Sequence, residues 1–436
     1  MPLAPALLAV GQSSRAASRL SINGLSINGF LLFVMSLSVV ASAFPQMRPI
    51  VMGLAVHPYL IVVGLALPLA VMARIHLFPV RVLAALVLFV GMYCFSVLNG
   101  GHNQVGEVVK IGSAFATIIT SALLVRRRGD FVAGALGLSI AIAVLAIRAL
   151  DAPVRADGIN AMAGMANKNS YSLFALPAVL LAGYIVLNLK IPVVFKTIFV
   201  GTTVPTLVAI FLSGNRSGWL GAVLVGVMLF WNRRGKGFLL VCVLAAIVGF
   251  WIVKFGSTGA LQERVQKTVE GYQSDTLRRN LVVICLEIGL ENPLIGVGPQ
   301  MLSLEIGRRS ITDYNVGVNE AHNVFAHVLG GSGVFCFAAL LGVGWCLWTW
   351  KPRGGGKVGG REDPLHEARK LMRMLVFLWV VRGMFTSEIQ FNPSFNIAFG
   401  LGIGFCMLAE VARSGEPAVS SKPSPQSGQA RLATGH

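Results

Sequence analysis

Long apolar runs separated by short polar segments make up most of the chain. They fall at about 26–44, 54–73, 80–98, 107–125, 131–150, 171–187, 193–212, 219–231, 238–253, 323–350, 374–390 and 394–411. Most are roughly 18–25 residues long, the length at which a helix crosses about 30 Å of hydrocarbon. Lipid offers the backbone no hydrogen-bond partners, so the runs are expected to be helices. A membrane barrel would need alternating segments of about ten residues, and the sequence has no such pattern. The predicted fold class is therefore an all-α polytopic membrane protein with about 12 transmembrane helices. The run at 219–231 is short, and the one at 323–350 is long enough to tilt or extend past the bilayer.

Composition agrees: 55% of residues are hydrophobic and 12% are Asp, Glu, Lys or Arg, against about 25% charged in soluble domains. The net charge of +18 would suggest nucleic acid in a soluble protein. Here the basic residues cluster in short loops without any nucleic-acid motif, so they are read as topology signals. The basic segments hold Arg15 and Arg19; Arg74 and Arg81; Arg126–Arg128; Lys190 and Lys196; Arg233, Arg234 and Lys236; seven residues from Lys351 to Arg373; and Arg413, Lys422 and Arg431. These make 22 of the 36 Lys and Arg and alternate strictly with the other loops. By the positive-inside rule they face the cytoplasm, with both termini. Residues 1–25 are then a cytoplasmic tail, 26–411 the membrane domain, and 412–436 a disordered cytoplasmic tail rich in Ser, Pro and Gln. The apolar stretch Leu3–Val10 has no basic segment before it and is not read as a cleaved signal peptide. The six cysteines, Cys94, Cys242, Cys285, Cys336, Cys346 and Cys406, have no metal or redox spacing and read as small core residues.

On the opposite side the loops are short except for residues 255–322, a segment too long for a simple connection. Thr276–Leu290 reads as a helix in it, capped by Asp275, followed by Pro293, and apolar along Leu281, Ile284, Cys285 and Ile288. Four polar clusters map to this side: Asn167-Lys168-Asn169, Ser213-Gly-Asn215-Arg216-Ser-Gly218, Arg278-Arg279 in the expected first turn of the loop helix, and His322-Asn323. Three of them precede spans that run from outside to inside. Their helix N-termini point outward with free N–H groups and positive partial charge. If these ends converge with the loop-helix arginines, they form a site for a phosphate or diphosphate, which the arginine fork binds bidentately. Each cluster also has an ordinary reading: Arg216 and Lys168 as interfacial anchors, Arg278 and Arg279 as a solvated face, His322 as an interfacial histidine. Cations at helix N-termini oppose the dipole, which tilts the balance toward function. Arg382 inside an apolar run, with Glu388 as a candidate partner, is unexplained by the span pattern. Glu107 and Lys110 are spaced to neutralise each other.

At these residues the chain resembles the O-antigen ligase and polymerase superfamily of membrane glycosyltransferases. Ser213-Gly-Asn-Arg216-Ser-Gly-Trp219 is similar to the family's Ser-x-Ser-Arg-Gly stretch before a span. Arg278 precedes Pro293-Leu-Ile-Gly-Val-Gly298-Pro as in the family's arginine, helix and Pro-Leu-x-Gly-Val-Gly turn. His322-Asn323 is similar to its His-Asn motif, and Asn167-Lys168-Asn169 to a weaker element. The match covers roughly residues 160–345. It departs at Asn215, where the family has a second Ser, at Val282, where a Trp is common, and at Gly331, where a Glu is frequent. The resemblance implies a bacterial inner-membrane enzyme working on the periplasmic face. It would move a glycan from undecaprenyl diphosphate to an acceptor sugar hydroxyl, on lipid A-core in a ligase or on a lipid-linked glycan in a polymerase. His322, Arg216 and Arg278 would be catalytic; Arg279, Asn323, Asn167, Lys168, Asn169 and Asn215 would bind substrate. No Asp-x-Asp motif stands in the outer loops, and no metal or other cofactor is expected. A neutral His322 at a helix N-terminus has the character of a base for the acceptor hydroxyl. Ligase is the leading reading, polymerase the alternative, and a twelve-span secondary transporter the reading from a different class.

Overall fold

Each apolar run needs its backbone bonds closed within itself, and in the computed structural model the described runs are essentially helical. The structure describes residues 26–43, 50–51, 54–100, 105–151, 168–213, 215–230, 273–314, 320–350, 364–387 and 389–414. Among these the α-helices are α1 (Ile27–Leu37), α2 (Pro58–Arg74), α3 (Val80–Asn99), α4 (Val105–Leu124), α5 (Arg128–Asp151), α6 (Lys168–Asn188), α7 (Val193–Leu212), α8 (Arg216–Phe230), α9 (Gln273–Glu291), α10 (Pro299–Tyr314), α11 (Val324–Trp348), α12 (Pro364–Gly383) and α13 (Pro393–Ser414). A two-residue antiparallel ladder, β1 (Ile50–Val51) on β2 (Leu54–Ala55), precedes α2. A 3₁₀ turn, Ile389–Phe391, precedes α13.

Eight helices, α2 to α7, α11 and α13, are long and apolar enough to cross a membrane, and α1 and α8 are shorter apolar helices. Their surfaces suit lipid. On α2, Leu65, Leu69 and Met72 are 72%, 71% and 85% exposed while Val63, Ala66 and Ala70 are buried. A water-facing patch of that kind would drive association, whereas hydrocarbon tolerates it. The interior is built around α13, which packs on α4, α6 and α12, and around α5, which packs on α1, α6 and α7. Phe131 of α5 stacks on Phe405 of α13 at 4.6 Å between ring centres.

Hydrogen bonds between helix ends sort the loops into two sets. Arg74 Nη1 donates to the Val125 carbonyl at 2.9 Å, Tyr184 Oη donates to the Glu367 carbonyl at 2.8 Å, and Trp350 Nε1 donates to Glu410 Oε1 at 2.8 Å. At the other ends Ser96 Oγ donates to the Gly331 carbonyl at 2.8 Å, and Asn215 Nδ2 donates to Ser172 Oγ at 2.7 Å. The first set lies at helix ends near basic residues, and the second includes Asn215 of one polar cluster.

Several expectations are corrected. The run at 374–390 is not the eleventh helix: α12 starts at Pro364 and ends at Gly383, so Arg369, Lys370 and Arg373 ride on the helix rather than in a loop. The loop helix begins at Gln273, which places Asp275 inside the first turn instead of before it. A second loop helix, α10, was not anticipated; it buries Leu302, Ile306 and Ser310, four residues apart, against α9 and α11. Arg309 ties the pair, with a two-pronged contact to Glu291 at 2.6 and 3.0 Å and a bond to Glu305 at 2.9 Å. Helix α13 continues to Ser414, so residues 412–414 belong to it and not to a disordered tail. The expected span at 238–253 and the tail 1–25 lie outside the described residues.

Candidate functional site

The Pro293–Gly298 turn is the mechanical centre of the outer region. Gly296 and Gly298 have φ of +73° and +91°, and Gly333, with φ +75°, interrupts α11. That interruption frees backbone groups that the turn takes up. Val334 N donates to the Pro293 carbonyl at 2.8 Å, and Gly298 N donates to the Gly331 carbonyl at 2.8 Å. The fit leaves no space: a Cβ on Gly296 would stand 2.4 Å from the Gly331 carbonyl oxygen, and one on Gly333 2.3 Å from the Leu294 carbonyl oxygen. The glycine-rich motif is thus a backbone-to-backbone dock that fixes α9 and α10 against α11. It also accounts for Gly331, where the family often has Glu. A Cβ there would sit 3.2 Å from Pro299 Cα and 3.3 Å from Leu302, so α10 crowds a longer side chain.

His322 lies just above this dock. Asn323 caps α11, its Oδ1 accepting from Phe325 N at 3.0 Å and Ala326 N at 3.1 Å. The chain reaches that cap through a His322 φ of +52°, the one positive value at a non-glycine among the described residues. Such a conformation costs about 1–3 kcal/mol and persists only where the surroundings enforce it. The imidazole is 27% exposed. Burial first, and then the positive charge of Arg278, lower its pKa from the ordinary 6.5. Glu320 Oε2 stands 3.6 Å from His322 Nδ1, too far for a hydrogen bond. Because Glu320 is 47% exposed, solvent screens it, and burial with Arg278 sets the direction. The ring is held uncharged at neutral pH.

Arg278 of α9, 44 positions away in sequence, is near enough for its charge to act on His322. The geometry also corrects one part of the expectation. Because α9 starts at Gln273, Arg278 and the exposed Arg279 lie beyond its first turn, away from its free N–H groups. The charge at His322 comes from the guanidinium and not from that helix end.

The second half of the site is a junction of α6, α8 and α12. Asn215, 4% exposed, precedes α8. Its Oδ1 accepts from Ser217 N at 3.2 Å and Ser217 Oγ at 2.8 Å, and its Nδ2 donates to Ser172 Oγ at 2.7 Å. The same Ser172 oxygen accepts from Arg382 Nη2 at 3.2 Å. Arg382 is fully buried, and its Nε and Nη1 have no hydrogen-bond partner among the described residues. The next residue, Gly383, packs on the first turn of α11, where a Cβ would lie 2.7 Å from Val324 Cγ1. The outer end of α12 therefore joins the starts of α6, α8 and α11, the three span ends expected to converge. Arg216 is half-buried as the first residue of α8.

The polar atoms of Asn215 and the Oδ1 of Asn323 are committed to caps and to Ser172, so these residues hold the site's framework. Lys168 and Asn169 open α6, with side chains outside the described residues, as are Asn167 and Glu388. Ser172 carried no signal in sequence. Arg382 did, as a charge within an apolar run, but its described partner is Ser172 rather than the expected Glu388.

A comparison with curated proteins finds no match. A family model described as O-Antigen ligase matches residues 201–341, which span α8 to most of α11 and include the Gly-rich dock. The stretch that carries Arg216, Arg278 and His322 is thus similar to the O-antigen ligase family, as the resemblance implied.

Proposed function

We propose that this chain is an inner-membrane O-antigen ligase, moving a glycan from undecaprenyl diphosphate to a sugar hydroxyl of lipid A-core on the periplasmic face. The observation that carries the reading is a backbone-strained His322 next to the cap of α11, its pKa lowered by burial and by the charge of Arg278. An uncharged imidazole can take a proton from a hydroxyl, whereas an imidazolium cannot. The acceptor oxygen attacks the anomeric carbon, the bond from that carbon to the diphosphate oxygen breaks, and the bonding pair leaves with undecaprenyl diphosphate. The acceptor proton passes to His322. Negative charge grows on the departing diphosphate, and Arg278 and Arg216, with the buried Arg382 behind them, are the cations we assign to meet it. On this reading the charge is met by arginine alone, without a metal ion. Asn215, Ser172 and Asn323 keep those groups in register, and Arg279, Lys168, Asn167 and Asn169 are the further residues we assign to donor binding.

A polymerase of lipid-linked repeats would use the same donor chemistry and differ only in the acceptor. The test is glycan transfer by the purified protein in detergent with the lipid-linked donor. His322→Ala is expected to lower transfer by about 10²–10⁴-fold, the range for a general base, while donor binding persists. Chelator is expected to change nothing. Unchanged transfer by His322→Ala removes the histidine from the mechanism, and transfer abolished by chelator removes the metal-free reading.

A further inference from the structure

Near His322, through its neighbour Glu320, lies a cavity of about 290 Å³, at the small end of the range for small-molecule sites. Its polar lining is contributed by separate elements: Glu107 from the start of α4, Ser303 from α10, Glu320 beside His322, His327 from α11, and Ser387 after α12; Phe391 supplies an apolar ring. Two of these side chains are more than nine-tenths buried and unsatisfied. Ser387, 1% exposed, has no partner for Oγ, and His327, 8% exposed, has none for Nδ1, among the described residues. Buried polar atoms without partners are rare in folded proteins, and each one calls for a ligand or another explanation.

The chemistry of the lining selects the ligand. Glu107 is 11% exposed and accepts from Lys110 Nζ at 2.7 Å and Tyr93 Oη at 3.3 Å. Each carboxylate oxygen can accept more than one bond, so acceptor capacity remains. Lys110 cancels the charge of Glu107, which leaves no excess to hold a divalent cation. A diphosphate would find no excess positive charge here, since Lys110 already pairs with Glu107, and it would meet the carboxylate of Glu320. A neutral ring with hydroxyls at its edge and C–H groups on its face matches acceptors along one wall and Phe391 along another. Glu320 links the cavity to the reacting centre, since it lines the cavity and its Oε2 stands 3.6 Å from His322 Nδ1.

We propose that this cavity is the acceptor subsite: it takes one neutral sugar ring, whose hydroxyls bond Glu107, Glu320, Ser387 and His327, and presents the reacting hydroxyl to His322. The proposal rests on the glycosyl-transfer reading and assigns this cavity to the acceptor.

The experiment is saturation-transfer NMR on the full-length protein in detergent, with free hexoses and with deacylated core oligosaccharide as probes. The wild type is expected to saturate saccharide protons, and excess inorganic pyrophosphate is expected not to displace the sugar. Ser387→Leu and Ser303→Leu fill the cavity from two different elements, so both cannot fail through one local misfolding. Each is expected to weaken saccharide binding by about tenfold or more, the worth of a lost bond to a buried polar group. Glu107→Gln, which keeps the side-chain shape, is expected to do the same. Undiminished saccharide signal in both leucine variants, or displacement by pyrophosphate, overturns the subsite. If the wild type transfers glycan yet binds no saccharide, the subsite falls and the transfer reading stands. If it binds saccharide in a Ser387-dependent way yet transfers nothing, the cavity stands as a sugar site and the transfer reading falls.

Discussion

Replacing Arg382 by Met separates a catalytic cation from a structural one, because the two roles give opposite signs for stability. Arg382 is fully buried, bonds Ser172 through Nη2 alone, and leaves Nε and Nη1 unpaired among the described residues. Each buried unsatisfied group costs about 1–3 kcal/mol, and the lost Ser172 bond is worth about 0.5–1.5 kcal/mol. Met has a similar reach and no polar atoms, so Arg382→Met is expected to stabilise the ligand-free protein by about 1–2 kcal/mol. Were Arg382 half of a buried structural ion pair, its removal would instead cost about 3–5 kcal/mol. Donor reverses the order. A ligand at 100 times its Kd stabilises the folded state by about 2.7 kcal/mol, and the Met variant is expected to lose much of that gain together with transfer. The assay is unfolding in detergent, with and without the undecaprenyl-diphosphate donor, beside the transfer rate. A less stable Met variant with an intact donor effect would refute the reasoning, and Arg382→Lys should recover little because an ammonium cannot reproduce the planar fork.

The pKa of His322 is lowered by burial and then by Arg278, so the neutral, active form is kept down to pH values below the ordinary imidazole range and is lost as pH falls through the lowered pKa. Arg278→Gln removes the second cause; the acid limb of kcat/KM should move to higher pH while burial holds it short of the full return to 6.5, and a limb that does not move contradicts the contact. Gly333→Ala forces a Cβ to 2.3 Å from the Leu294 carbonyl oxygen at φ +75°; it should cost about 2 kcal/mol or more and open the segment Gln273–Tyr314 to proteolysis, and wild-type resistance would remove the docking argument. Reporter fusions at Gly129, Gly235 and Gly356 should report cytoplasm and those at Gly158 and Gly271 periplasm; a cytoplasmic Gly271 would put the site on the wrong side.

The spans were legible because membrane helices leave a signal of length and apolarity that needs no knowledge of neighbours. Helix α12 shows the limit. Its first half carries Glu367, Arg369, Lys370 and Arg373, and hydropathy cannot distinguish charges on a helix from charges in a loop. Helix α10 escaped because its buried positions, Leu302, Ile306 and Ser310, form one narrow stripe that includes a serine among polar residues. In the candidate site, His322 and Arg216 could be picked out in the sequence as polar residues beside apolar runs, and Arg278 as an arginine of the loop helix. The Arg382–Ser172 bond joins residues 210 apart in the chain, and neither has a local pattern that names the other. The same holds for the Gly296–Gly331 contact: the glycines were visible, but only the folded chain shows that Gly296 makes room for the backbone of Gly331 and Gly333 for that of Leu294.

The most direct test of the central claim is product analysis with purified protein, undecaprenyl-diphosphate-linked glycan, and two acceptors offered separately, lipid A-core and a second lipid-linked glycan. The account predicts glycan covalently joined to lipid A-core, made by the wild type and nearly lost in His322→Ala. Lengthened lipid-linked glycan in its place would assign a polymerase. Absence of covalent product with either acceptor, together with movement of a glycolipid or solute across the membrane, would contradict the claim of glycosyl transfer.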